Sequence, residues 1–296
     1  MRKLIILAFI GFCAQLVDGS LGMAYGVTST SLLLMSGIAP AVASASVHMA
    51  EVVTTAASGL SHIRFGNVDK QVVRRLIVPG AIGAFLGACF LSNIPGDLIK
   101  PFISVFLLLL GIHVLYRFVF KNERFQKNSR KKFAKKHFIP LGFAAGFFDA
   151  TGGGGWGPIT TPILMAGNKM EPRKVIGSVD TSEFVIAVSS TIGFLLTLGW
   201  EQIHVQWVLA LMAGGIIAAP VAAWLVKIIP AKLLGTLVGG IIIVTNTRTL
   251  LGIFNVPQTW TAAIYIFLFL LWAAAVVYTI MKLKNNKPGV PGNGTP

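Results

Sequence analysis

Seven uninterrupted apolar stretches, at about 38–62, 72–92, 98–119, 174–198, 203–227, 231–251 and 259–281, are each long enough to cross a membrane as a helix. A hydrocarbon core of about 30 Å takes roughly 20 such residues, so the chain reads as an all-α polytopic membrane protein. Of its 296 residues 54% are apolar and only 12% charged, against about 25% charged in a soluble domain. That balance excludes a soluble globular enzyme, a disordered chain and a disulfide scaffold. The net charge of +15 would suggest a nucleic-acid partner in a soluble protein. Here the Lys and Arg residues lie between apolar runs, so they read as topology signals facing a lipid bilayer, with no nucleic acid implied. The two cysteines, Cys13 and Cys89, sit in apolar runs and read as buried free thiols. Met1, Arg2 and Lys3 before an apolar run resemble the start of a signal peptide. No small-x-small cleavage site follows, and cleavage would remove part of a repeat.

That repeat emerges when the chain is laid against itself. Gly11, Phe12, Ala14, Asp18, Gly22 and Gly26 recur as Gly142, Phe143, Ala145, Asp149, Gly153 and Gly157, at an offset of 131. Thr28, Pro40, Ser46, Val47, Glu51, Val53 and Ser58 recur as Thr160, Pro172, Ser178, Val179, Glu183, Val185 and Ser190, at 132. Gly80, Ile82 and Ala84 recur as Gly214, Ile216 and Ala218 at 134, and Pro95 as Pro230 at 135. The one-way drift is that of loop insertions. The chain therefore divides into a first repeat (1–120), a basic cytoplasmic linker (121–137), a second repeat (138–257), an extra transmembrane helix (258–282) and a Gly/Pro-rich disordered tail (283–296).

Each repeat opens with an apolar segment, 4–35 or 138–166, broken by Gly, Asp and Ser or Thr residues. Such a segment is either an interrupted span or a re-entrant hairpin. The positive-inside rule separates the two readings. If both segments span, 16 of the 25 Lys and Arg lie inside; if both are re-entrant, 21 do. The re-entrant reading makes each half three spans plus a hairpin, with the halves inverted, at the cost of an outside N-terminus bearing Arg2 and Lys3.

Polar groups inside hydrocarbon are costly and mark functional sites. Five of the ten acids enter the apolar runs: Asp18, Glu51, Asp149, Asp180 and Glu183. Asp18 with Asp149 and Glu51 with Glu183 are repeat-related, and Asp180 matches His48. The spacing from His48 to Glu51, and from Asp180 to Glu183, places each couple on one helix face, which Ser58 and Ser190 extend. These groups are candidates for proton coupling or for the substrate pathway; alternatively they hydrogen-bond each other and only fix the helices. Non-helical backbone at membrane depth is tolerated where it is buried or lines a watery cavity. Gly152, Gly153, Gly154 and Gly155 would let a backbone approach an anion at a helix N-terminus, and Gly22, Ser20, Thr28, Ser29, Thr160 and Thr161 would line the same site. Tight packing through Gly-x-x-x-Gly is the competing and compatible role. Asp18 and Asp149 could equally cap the half-helices that follow them.

The segment from 11 to 26 with Asp18 and Gly22, the 142–158 run GFAAGFFDATGGGGWGP, and the pattern Pro172, Ser178, Glu183 resemble the TauE/SafE family of sulfite exporters over about 5–252. The resemblance implies a multi-pass plasma-membrane carrier, in a bacterium the inner membrane, moving sulfite, sulfonates or related sulfur oxyanions. Met23 and Ala24 stand where the second copy has Gly154 and Gly155, so the first loop is expected to behave differently. The expectation is a secondary transporter of a small anion, with the buried acids as candidates for proton coupling. No metal-ligand spacing, nucleotide loop or cofactor motif is present, so neither an enzyme nor a cofactor is expected. A membrane-embedded lipid-phosphate hydrolase would want an Arg or metal clamp that the loops lack. A scaffold or sensor would not need acids matched in both halves. The oligomeric state is not written in the sequence.

Overall fold

The computed structural model describes residues 2–21, 23–120, 135–167, 172–225 and 230–285, and among these every regular element is helical. The first half holds α1 (Arg2–Leu21), α2 (Tyr25–Met35), α3 (Pro40–Arg64), α4 (Lys70–Ser92) and α5 (Gly96–Phe120). The second holds α6 (Phe138–Gly152), α7 (Trp156–Gly167), α8 (Pro172–Leu198), α9 (Val205–Leu225) and α10 (Ala231–Ile253), followed by α11 (Gln258–Asn285). Both apolar openings are broken in the middle, between α1 and α2 and between α6 and α7. Helices occupy all seven expected stretches, but only α4, α5, α8, α10 and α11 are long and apolar enough to cross a membrane by length and composition. The buried Ser, Thr, His48 and Glu51 of α3 dilute its apolar character, and the apolar run described in α9 is Val205–Ala218. The helix α11 continues three residues past its expected end at 282. The tail beyond Asn285 and linker residues 121–134 lie outside the described residues, and 135–137 form a short 3-10 turn.

Local chemistry places the helix ends. Pro40 opens α3, where its missing N–H costs nothing, and Asp69 caps α4 by accepting from the N–H groups of Gln71 and Val72 at 2.8 and 3.3 Å. Gly153 ends α6 in a left-handed conformation (φ 66) that suits a residue without Cβ.

Packing between the halves is reciprocal. The fourth helix of each half lies on the first helix of the other, α4 on α6 and α9 on α1. Glycines bring these backbones together: a Cβ on Gly11 would overlap the Leu211 carbonyl, one on Gly214 the Ala8 carbonyl, one on Gly83 the Phe143 carbonyl and one on Gly146 the Gly80 carbonyl. The pair α4 and α6 runs parallel, Gly83 beside Phe143 and Gly87 beside Phe147. By contrast α3 and α8 run antiparallel, with Gly59 beside Thr181 and Gly177 beside His62, as do α5 and α10, with Gly111 beside Ile242 and Gly235 beside Phe118.

The polarity is that of a protein in lipid. Phe9, Phe90, Phe102, Leu109, Leu196 and Leu270 are exposed, while Thr28, Ser29, Ser46, His48, Glu51, Asp149, Ser178 and Asp180 are buried. The helix α11 sits on α10 at the periphery, where the Trp272 indole N–H donates to the Thr236 carbonyl at 3.1 Å. Cys13 and Cys89 are free, as expected, but half-buried rather than buried, because their helices turn those faces partly outward.

Candidate functional site

The two breaks and the helices α3 and α8 meet in one buried polar cluster. Asp149, in the last turn of α6, accepts through Oδ1 from the backbone N–H groups of Gly155 and Trp156 at 2.7 and 2.9 Å. It therefore caps α7. Asp18 stands in the same relation to α2, accepting from the Tyr25 N–H at a longer 3.4 Å. Both aspartates reach seven residues ahead, as repeat equivalents should. The N–H groups of Gly155 and Trp156, at the entry to α7, are thus engaged by a side-chain carboxylate, which is the capping geometry.

The second oxygen of Asp149 leads outward from the cap. Its Oδ2 lies 3.1 Å from His48 Nε2 on α3, and Glu51 Oε2, one turn on, lies 4.0 Å from the same nitrogen. His48 Nδ1 is 2.8 Å from the Ser44 carbonyl, so that nitrogen carries a hydrogen and the ring is held with Nε2 toward the acids. The Ser44 hydroxyl also donates to the Ala150 carbonyl at 2.6 Å, tying α3 to the end of α6. Glu51 Oε2 has no hydrogen-bond partner. A proton on this triad has three stations, Asp149, His48 and Glu51, within a few ångströms.

The remaining acids join from α8 and α1. Glu183 is within electrostatic range of Asp18, Glu51, Asp149 and Asp180, so all five acids singled out from the sequence share one low-dielectric volume. Five carboxylates there would repel one another strongly if all were charged. Asp180 takes a hydrogen bond from Ser58 on α3 and lies 3.8 Å from His62 Nε2. Ser190 is buried without a partner. Among the described residues no group of three or more His, Cys, Asp or Glu is arranged to hold a metal ion.

The glycine tract packs against protein. A Cβ on Gly154 (φ 151) would overlap the Val27 nitrogen and the Gly26 carbonyl carbon, one on Gly153 would meet Thr30, and one on Gly152 the Phe106 ring. Thr30 also donates to the Gly153 carbonyl at 2.6 Å. The second break is therefore clamped onto the start of α2, and the same Cβ position on Gly26 that meets Gly153 and Gly154 also meets Glu51 Oε1. Gly155 is used through its N–H to Asp149. Thr160 donates back to the Trp156 carbonyl. Thr28, Ser29 and Thr161 are buried with hydroxyls that have no partner. Ser20 lies in the last turn of α1, and Gly22 lies outside the described residues.

Several contributors were not singled out from the sequence. Ser44 orients His48 from one turn away, a spacing visible in the sequence. Tyr25 and Trp156 are repeat equivalents at offset 131, and comparing the two copies residue by residue would have found them. Arg117, counted only as a topology signal, is buried with its guanidinium 3.5 Å from Met23 Sδ.

Residues 7–249 match the family described as "Sulfite exporter TauE/SafE". The chain is 60% identical over 285 residues to the "Probable membrane transporter protein YtnM" of Bacillus subtilis (strain 168), covering 96% of this chain and 95% of that protein. No solved structure matches.

Proposed function

The chain belongs to the TauE/SafE family of sulfite exporters, and from that premise we propose that it carries a small sulfur oxyanion or sulfonate across the plasma membrane with protons as the coupled ion. The observation that carries the coupling is the Asp149–His48–Glu51 triad. It joins a proton-holding cluster to the cap of α7, so a change of protonation reaches the hairpin directly. An anion leaving a negative cytoplasm runs downhill by about 2.3 kcal/mol per 100 mV and needs no partner ion, whereas uptake does. Protons let one site serve a gradient in either direction. The substrate sits near mid-membrane beside the acids, held by the unpartnered hydroxyls of Thr28 and Ser29.

The repeats are inverted in this reading, each a hairpin with three spans. The antiparallel packing of the equivalent helices α3 and α8, and of α5 and α10, supports that inversion.

Flux of radiolabelled sulfite and sulfonates into proteoliposomes under an imposed pH gradient tests the coupling. The parent should respond to the gradient, while Glu51→Gln and Glu183→Gln, which keep shape but cannot ionise, should still bind substrate and lose the response. If both variants and their combination keep the parent's rate and pH profile, the acids are structural and the coupling is wrong. In intact cells an impermeant reagent should label a tag at the N-terminus and spare tags at 121–137 and at the C-terminus. Protection of both termini would refute the inverted arrangement.

A further inference from the structure

The repeat-equivalent surroundings of Tyr25 and Trp156 have diverged in chemistry. In the second half, the Trp156 indole N–H donates to the Val179 carbonyl and to Ser182 Oγ, both at 3.1 Å. Its ring and Ile186 fill the space above Gly80, where a Cβ would lie 2.6–2.7 Å from them. Gly146 brings α6 against the Gly80 carbonyl. This side is apolar, close-packed and satisfied.

The same three positions in the first half read Tyr25 for Trp156, Gln15 for Gly146 and Thr54 for Ile186. They gather around Gly215, from which a Cβ would lie 3.7 Å from Tyr25 Oη, 3.1 Å from Thr54 Cγ2 and 3.8 Å from Gln15 Cβ. Tyr25 and Gln15 are only 3 and 4% exposed, and neither Tyr25 Oη nor Gln15 Oε1 has a hydrogen-bond partner. Thr28 and Ser29 follow Tyr25 at i+3 and i+4, on the same face of α2, and their buried hydroxyls are also without partners. Buried polar atoms are rarely left unpaired, since each costs about 1–3 kcal/mol. Four of them on the two neighbouring helices α1 and α2 mark a place built to hold something polar.

We propose that Gln15, Tyr25, Thr28, Ser29 and Thr54 form a one-sided binding site, carried by the first repeat alone, for a small oxyanion that bears its own proton, of the hydrogen-sulfite type. The hydroxyls of Tyr25, Thr28 and Ser29 donate to the anion's oxygens, Thr54 lines the site with its methyl, and Gln15 Oε1 accepts from the anion's O–H. No Lys or Arg takes part. Instead Glu51 and Asp18 stand within electrostatic range of Tyr25, which favours a monoanion over a dianion and favours it most when Glu51 is protonated. The second repeat, with its indole plug, supplies the wall. This rests on the transporter reading and adds to it where the substrate sits and which protonation state is taken.

Binding of sodium sulfite, sodium sulfate and sodium methanesulfonate to the purified full chain, followed by ligand-dependent thermal stabilisation, tests it. The parent should be stabilised by sulfite at pH values where hydrogen sulfite is present, and much less by the dianionic sulfate or by methanesulfonate, which has no O–H. Tyr25→Phe and Gln15→Leu should each weaken sulfite binding about tenfold or more, with the ligand-free melting temperature unchanged or raised because an unpaired buried group is removed. If both variants melt as folded protein and bind sulfite as the parent does, the site is wrong while the transporter reading stands. If the parent binds none of the three anions, the sulfur-oxyanion reading falls and the site with it.

Discussion

The two broken segments match each other in sequence and hold themselves differently. In the second, Asp149 makes two short backbone bonds to the start of α7, and Gly153 and Gly154 turn with positive φ. The tip is locked onto Gly26 and Val27, and Trp156 is anchored twice. In the first, the bond that Asp18 makes among the described residues is a longer one, to Tyr25. Ala24 takes a positive φ of 91 with a Cβ in place, a conformation that costs an L residue about 1–2 kcal/mol. Tyr25 ends in an unpaired hydroxyl. The duplication has separated two demands that oppose each other: one copy supplies rigid packing, and the other keeps strained, unsatisfied groups that a ligand can reward.

The largest effect that would break this contrast is expected at Gly154. With φ at 151 and its Cβ position inside the backbone of Gly26 and Val27, Gly154→Val should leave no monodisperse folded protein on size-exclusion chromatography. If the variant folds and loses only substrate binding, the tract faces a ligand and the clamp does not exist. Next comes the pair of caps. Removing Asp149 by Asp149→Ala orphans two buried N–H groups and the partner of His48, a loss of about 3–5 kcal/mol. Asp18→Ala should cost about 1 kcal/mol. Equal falls in melting temperature would mean the two hairpins are held alike. The smallest effect sharpens the comparison: Trp156→Phe removes both anchoring bonds and should lose about 1–2 kcal/mol, whereas Tyr25→Phe should stay within about 0.5 kcal/mol of the parent.

Much of the architecture could be read along the chain. The seven apolar stretches became helices, and both opening segments broke, though α1 stays helical through Leu21 and α6 through Gly152, so that the breaks lie at the far end of their Asp- and Gly-containing stretches. Helix placement in lipid depends on run length and backbone satisfaction, and both are local properties. The five acids were legible for a similar reason, since an ionisable residue in an apolar run stands out whatever surrounds it. Pairing them was another matter. The i to i+3 spacing linked His48 to Glu51, but the closer partner of His48 is Asp149, 101 residues away.

What the sequence determined by itself, then, is the duplication, the helical membrane class, the position of both breaks and the identity of the buried acids, because each follows from residue type and spacing over a few turns. The tertiary structure alone decided that the glycine tract meets the backbone of α2, that Asp149 caps α7 while holding His48, and that the first repeat keeps an unsatisfied polar face where the second has an indole. A glycine announces that something will come close without saying what. A buried hydroxyl likewise gives no sign of whether it will be paired, because its partner is set by helices that meet only when the two halves fold against each other.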